Sequence, residues 1–123
     1  MKYLIGIDIG TSGTKSVLFD EKGNIISSSL REYPLIQPKN GWAEQNPADW
    51  FNAAIETLKA IITKSGIDPK EIVSIGISGQ MHGLVMLDEN CRVLRPSILW
   101  CDQRTGKESC QESHSRLLEG LPP

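Results

Sequence analysis

Tyr3-Leu4-Ile5-Gly6-Ile7-Asp8-Ile9-Gly10-Thr11-Ser12-Gly13-Thr14-Lys15 is the stretch that decides the fold. Its first seven residues form a nearly continuous apolar run, the pattern of a strand buried on both faces. Gly10 to Thr14 supply a turn, and Lys15 to Asp20 read as a second strand. Glu21-Lys22-Gly23-Asn24 give a second turn, followed by a third strand over Ile25 to Glu32. Turns this short force neighbouring strands to run antiparallel, so the reading is a three-stranded meander.

Pro34 to Asn46 is the longest apparent loop. A helix then starts with Asn46 as cap, Pro47 at the first helical position and Asp49 in the first turn. Trp50, Ala54, Ile55, Leu58, Ile61 and Ile62 recur at three- and four-residue spacing and predict one apolar stripe. Gly66 suits the C-terminal stop, with Lys64 near the negative end of the dipole. Strand signals return over Ile72 to Ser78, and shorter ones over Leu84 to Leu87, Arg92 to Leu94 and Ser97 to Trp100. Pro96 restricts Arg95 and bends the chain there. Thr105 to Leu118 suit a helix whose apolar stripe is weak, with Cys110, Leu117 and Leu118 as its core residues.

Composition narrows the function classes. The 123 residues are one domain's worth of chain, with 39% hydrophobic and 23% charged residues, a globular balance. Thirteen basic against fifteen acidic residues leave a net charge of -2, which argues against a nucleic-acid footprint. The apolar runs are too short to cross a bilayer, and no small-residue cleavage site follows Met1 to Asp8, so neither a membrane span nor a signal peptide is expected. Cys91, Cys101 and Cys110 contain no C-x-x-C pair, so reduced thiols in the cytoplasm are expected and a zinc site is not.

Three loops carry readable chemistry. In the first, Asp8 ends a strand and Gly10, Thr11, Ser12, Gly13, Thr14 and Lys15 follow. Glycines let backbone N–H groups approach an anion, and hydroxyls add donors. The spacing matches neither the Walker A nor the dinucleotide pattern. An ordinary glycine-rich hairpin with a solvated Asp8 reads equally well, although a charge in an apolar run calls for a partner. In the second, Ser78-Gly79-Gln80-Met81-His82-Gly83, the polar groups of Gln80 and His82 beside the adaptable Met81 suit a polyol. A satisfied turn histidine with Met81 in the core fits the same letters. In the third, Trp100-Cys101-Asp102-Gln103-Arg104, Asp102 and Arg104 either position a ligand or cap and pair locally, and the local use is the simpler one. Trp42 and Trp50 read as packing residues.

Taken together and in this order, these segments resemble the FGGY carbohydrate kinases of the actin-like ATPase superfamily. Gly6 to Lys15 is similar to the family's first phosphate loop, and Ala43 to Trp50 to its Glu-Gln-x-Pro-x-x-Trp segment. Pro96 to Arg104 is similar to its Leu-Trp-x-Asp-x-Arg segment. Gly76 to Gly83 discriminates most: glycerol kinases carry an Arg-Glu pair there, whereas the Met-His pair resembles the xylulokinases. The resemblance spans Tyr3 to about Leu118.

The resemblance implies an α/β, ribonuclease-H-like (actin-like ATPase) fold, a mixed five-stranded sheet with flanking helices. It implies a cytoplasmic enzyme that transfers the γ-phosphoryl group of ATP, with Mg²⁺, to D-xylulose or a related ketose. Asp8 would orient the Mg²⁺–phosphate group or the reacting hydroxyl. Gly10 to Lys15 would hold phosphate. Met81, His82 and Gln80 would contact the sugar, with Asp102 and Arg104 on the sugar side of the cleft. The family's general base and adenosine-binding loops lie beyond the last residue here, so residues 1–123 would be an incomplete N-terminal actin-like domain, inactive alone. The longer enzyme admits a homodimer. Two other readings share the first loop: a non-catalytic sugar- or nucleotide-binding module, and an actin-like ATPase of the chaperone or filament type. The latter has no reason to carry Gln80-Met81-His82-Gly83.

Overall fold

The computed structural model describes residues 1–107 of the chain. Strands β1 (Tyr3–Ile9), β2 (Gly13–Asp20) and β3 (Ile25–Glu32) form the expected antiparallel meander. Helix α1 (Pro47–Ser65) follows a short strand β4 (Glu44–Gln45). A single 3₁₀ turn, Pro69–Glu71, leads into β5 (Ile72–Gly79). β5 lies parallel to β1, so the four-stranded mixed sheet has the order β3-β2-β1-β5. The family resemblance implied five strands and more than one flanking helix; the described residues contain four strands in this sheet and one α-helix against it.

Each end of α1 carries the signal read from its sequence. The Asn46 side chain accepts the N–H of Ala48 at 3.1 Å, Pro47 opens the helix, and Asp49 sits in the first turn. Gly66 closes it in the left-handed region with φ 67, and its N–H reaches the Ile62 carbonyl. A side chain at that φ would be strained, which is why glycine is favoured there.

The helix lies across β2 and β3 and scarcely meets β1. Ile5, Ile7, Leu18 and Ile61 form the buried centre, with Ala54, Leu58 and Ile62 packed around it. Four of the six expected stripe residues, Ala54, Leu58, Ile61 and Ile62, thus face the core, and the most buried line of the helix lies to one side of them. Ala53, Thr57 and Ile61 are the buried helical residues, whereas Ile55 points outward. Counting apolar letters misses this because Thr57 is polar. Its hydroxyl is satisfied in the core by Ser16 at 2.7 Å and the Ala53 carbonyl at 2.8 Å.

β1 also departs from expectation. Ile5 and Ile7 are buried, but Leu4 and Asp8 are exposed, so only one face of β1 is covered among the described residues. The open face holds a groove of about 430 Å³ floored by Gly6, Val17, Phe19 and Gly76, with Asp8, Lys15 and Ser78 at its polar end.

A second, two-stranded sheet pairs β4 with β6 (Ser97–Ile98). The strands expected over Leu84–Leu87 and Arg92–Leu94 are instead isolated bridges, Leu84 to Ile98 and Leu87 to Val93. The helix expected over Thr105–Leu118 lies, from residue 108 onward, outside the described residues. No described helix is long and apolar enough to cross a membrane.

Gly13 begins β2 where β3 comes closest. A Cβ there would sit 2.7 Å from the Arg31 carbonyl oxygen and 3.1 Å from the Glu32 Cα. Backbone cannot yield as a flexible side chain does, so Gly13→Ala should destabilise the protein by about 2 kcal/mol. A urea midpoint unchanged from that of the parent would contradict this contact.

Candidate functional site

β1 and β5 run parallel, and both end at the same edge of the sheet. That edge is where the loops of open α/β sheets gather ligand groups. The first loop leaves β1 at Gly10, whose N–H bonds to the Gly13 carbonyl at 3.0 Å and closes a tight turn. Tyr33 braces this turn from behind. Its phenol donates to the Gly10 carbonyl and lies 3.3 Å from the Thr14 hydroxyl. Burial pushes the Tyr33 phenol up, so it stays a neutral donor at ordinary pH. Asp8 pairs across the sheet with Lys15 on one side and Ser78 on the other. It is exposed, and it forms no ion pair among the described residues.

The second loop leaves β5 at Gly79. The Gln80 N–H bonds to the Ile9 carbonyl at 2.8 Å, extending the β1–β5 ladder by one step. The chain then turns at His82, which adopts a left-handed φ of 60. Met81 is 72% exposed, so it is not the core residue that one reading of the sequence allowed. Gly79, Gln80, Met81, His82 and Trp100 line a pocket of about 270 Å³. Trp100 closes this pocket from the third loop, a role its sequence position did not suggest.

These two loops touch. The Thr11 hydroxyl donates to Gln80 Oε1 at 3.2 Å, and the Trp100 indole N–H donates to Thr11 Oγ1 at 3.1 Å. Gln80 Nε2 reaches Gln45 Oε1 at 3.1 Å. The anion-type turn and the Met-His pocket thus share one edge and one hydrogen-bonded seam.

Asp102 and Arg104 sit behind this seam. Arg104 donates to Asp102 at 2.7 Å and to Glu44 at 2.8 Å, and Arg95 also bonds Glu44. The Asp102 carboxylate accepts the Ala43 N–H at 2.7 Å. The Arg104 guanidinium stacks 3.7 Å above the Trp42 ring. This network ties the β4 segment to the third loop and leaves the Asp102 side chain only 2% exposed.

The network has a pH signature. The Arg104 guanidinium, aided by the Ala43 N–H, holds the Asp102 carboxyl well below the usual carboxylate range. Asp20 is also lowered, chiefly by the Asn24 side chain. A depressed folded pKa stabilises the fold above the ordinary value of about 4, and that contribution is lost as pH falls further. Urea midpoints should therefore drop steeply from pH 5 to pH 2, and Asp102→Asn should be weaker at pH 7 with a shallower acid slope. Parallel pH curves for parent and variant would contradict the network's role.

Among the described residues no three His, Cys, Asp or Glu side chains cluster as a metal cage. A lone exposed Asp8 beside the turn fits an ion held chiefly by phosphates and water, the usual manner of Mg²⁺. Cys91 is exposed and Cys101 half-buried, both as free thiols.

The model of the FGGY family of carbohydrate kinases, N-terminal domain, matches residues 3–118. This chain belongs to that family. The xylulose kinase of Bacillus subtilis (strain 168) is 50% identical over 98% of this chain and 26% of its own length. The crystal structure of xylulose kinase from Rhodospirillum rubrum overlays with a TM-score of 0.85 at 31% identity, covering 93% of this chain and 23% of that one. The crystal structure of gluconate kinase from Lactobacillus acidophilus gives 0.82 at 40% identity, covering 94% and 23%. The chain therefore spans about a quarter of the length of the FGGY relatives it matches. The neighbours also agree with the actin-like α/β fold expected from the resemblance.

Proposed function

We propose that this chain is the N-terminal, phosphate- and sugar-binding part of a xylulose kinase. In that enzyme the γ-phosphoryl of ATP passes to a D-xylulose hydroxyl, giving D-xylulose 5-phosphate and ADP. The observation that carries the reading is the seam through which the glycine turn after Asp8 touches the loop bearing Met81 and His82. A phosphoryl donor and a polyol acceptor have to meet at such an edge, because the reaction depends mainly on positioning and electrostatics.

Each residue then has a part. The turn from Gly10 to Thr14 offers backbone N–H groups to phosphate oxygens, with Lys15 adding positive charge. Among the described residues the N–H groups of Thr11 and Ser12 have no protein acceptor, which leaves them free for an anion. Asp8 orients the reacting hydroxyl or the water shell of Mg²⁺. That ion, when bound with the nucleotide, neutralises phosphate charge. His82 and Gln80 give directional bonds to sugar hydroxyls, while Met81 and Trp100 pack against its carbon face. Asp102 and Arg104 serve the sugar side by holding the third loop in place. The general base, adenosine site and dimer contacts belong to the longer enzyme, which works in the cytoplasm.

The similarity to a gluconate kinase favours a second acceptor, a sugar acid. A chimera separates the two. In it, this chain replaces the matching segment of the Bacillus subtilis xylulose kinase. ADP release should follow D-xylulose and be at least tenfold slower with D-gluconate or glycerol. Preference for D-gluconate would transfer the proposal to that acid. Turnover of ATP indifferent to any sugar would overturn it. Tight binding of D-xylulose or ATP–Mg²⁺ by the 123-residue chain alone would favour a binding module instead, because half a cleft binds poorly.

A further inference from the structure

Gln45 is fully buried, and a buried amide is costly unless its polar atoms are bonded. It belongs to the two-residue β4 and is not itself among the residues that line the pocket. Its Nε2 donates to the Thr11 carbonyl at 2.5 Å. Its Oε1 accepts the Trp50 indole N–H at 2.9 Å and Gln80 Nε2 at 3.1 Å. One side chain therefore holds the phosphate turn, the helix and the sugar loop together.

The direction of every bond in this relay is fixed by chemistry. An indole N–H only donates and a backbone carbonyl only accepts, so the Gln45 amide has one orientation. Gln80 must then offer Nε2 to Gln45 and turn Oε1 to Thr11. The Thr11 hydroxyl must donate to that oxygen, and its lone pair accepts from Trp100. The Thr11 hydroxyl proton is thereby committed to Gln80 and withheld from phosphate, leaving only the backbone N–H of Thr11 for the anion.

We infer that Gln45 is a positioning residue that locks the phosphate turn and the Gln80-Met81-His82 loop into a single unit. The inference rests on the proposed kinase reading for its kinetic consequence, though not for its geometry. Losing the lock lets either loop drift, and small misplacements between reacting groups are expensive in rate.

The test is a double-mutant cycle in the chimera, using Gln45→Met, Thr11→Val and the pair. Thr11→Val removes the hydroxyl and keeps the carbonyl that Gln45 holds, so coupling between the two changes runs through Gln80. Each single change should lower kcat/KM for D-xylulose about tenfold, roughly one hydrogen bond's worth. The pair should lie near tenfold as well, because the relay is already broken. KM should rise for both D-xylulose and ATP. A multiplicative loss of about a hundredfold in the pair would overturn the inference, as would singles that match the parent. A fall in Vmax that disappears once the concentration of active sites is titrated would also overturn it, since that marks loss of folded enzyme and not a misplaced loop. Should Gln45→Met fail to fold, Gln80→Met enters the cycle in its place. If the parent chimera phosphorylates no sugar, the kinase reading fails by itself. The same four proteins then report on the relay through thermal midpoints. Non-additive shifts keep it, and additive shifts remove it.

Discussion

Asp8→Ala in the chimera should lower kcat for D-xylulose by about 10²- to 10⁴-fold, the range for removing a positioned charged group from a reacting centre. KM for the sugar should change little, because the sugar pocket begins at Gly79, beyond Asp8 along the neighbouring strand. The fold should tolerate the change. Asp8 is exposed, forms no ion pair among the described residues, and faces the open side of the sheet. Asp8→Asn divides the two parts given to the carboxylate. If charge toward the Mg²⁺ shell matters, the amide should be as slow as alanine. If only a hydrogen bond to the hydroxyl matters, it should recover at least tenfold. Steady-state kinetics at saturating ATP decides this, and full activity in both variants would remove Asp8 from the site.

His82→Ala should act on the other side of the seam. It removes a ring with two hydrogen-bonding nitrogens from a pocket that also holds Met81 and Trp100. Two lost bonds to sugar hydroxyls correspond to about a hundredfold in kcat/KM, expressed mainly in KM for D-xylulose. The backbone adds a second contrast. His82 has φ 60, a region that Asn tolerates and β-branched residues resist. His82→Asn should therefore keep the loop's shape and part of the activity. His82→Val should lose activity and also some thermal stability. Equal behaviour of the Ala, Asn and Val variants would show that neither the ring nor the turn matters.

Much of this fold is legible in the sequence because its signals are local. The meander follows from apolar runs separated by short glycine turns. The bounds of α1 follow from Asn46, Pro47 and Gly66, each satisfying a helix end within a few residues. What escaped has no local signal. β4 and β6 are two residues each, too short for periodicity, and they form only because the chain returns fifty residues later. The exposed Leu84 and Leu87 read as strand letters, yet each makes only a single antiparallel bridge, Leu84 to Ile98 of the two-residue β6 and Leu87 to Val93. Ala54, Leu58, Ile61 and Ile62 of the expected stripe face the core, where Ala53 and the satisfied hydroxyl of Thr57 join them, while Ile55 is exposed.

The site divides the same way. The two loops were readable from glycines, hydroxyls and the Met-His pair. Their contact was not, because Thr11 and Gln80 are sixty-nine residues apart. Gln45 and Tyr33 were invisible for a related reason. A buried amide and a bracing phenol look like ordinary loop residues until their partners are known. For Asp102 and Arg104 the local pairing expected from their spacing is present, and Glu44, distant in sequence, completes it.

The account stands on one claim: phosphate donor and sugar acceptor meet where the first turn touches the Met-His loop. A crystal structure of the chimera with D-xylulose and a non-hydrolysable ATP analogue reads this directly. The sugar should lie between Met81, His82 and Trp100, with a terminal phosphate against the N–H groups of Thr11 and Ser12 and the reacting hydroxyl toward Asp8. Well-ordered sugar anywhere else, or a phosphate that leaves the Gly10–Gly13 turn untouched, would contradict it.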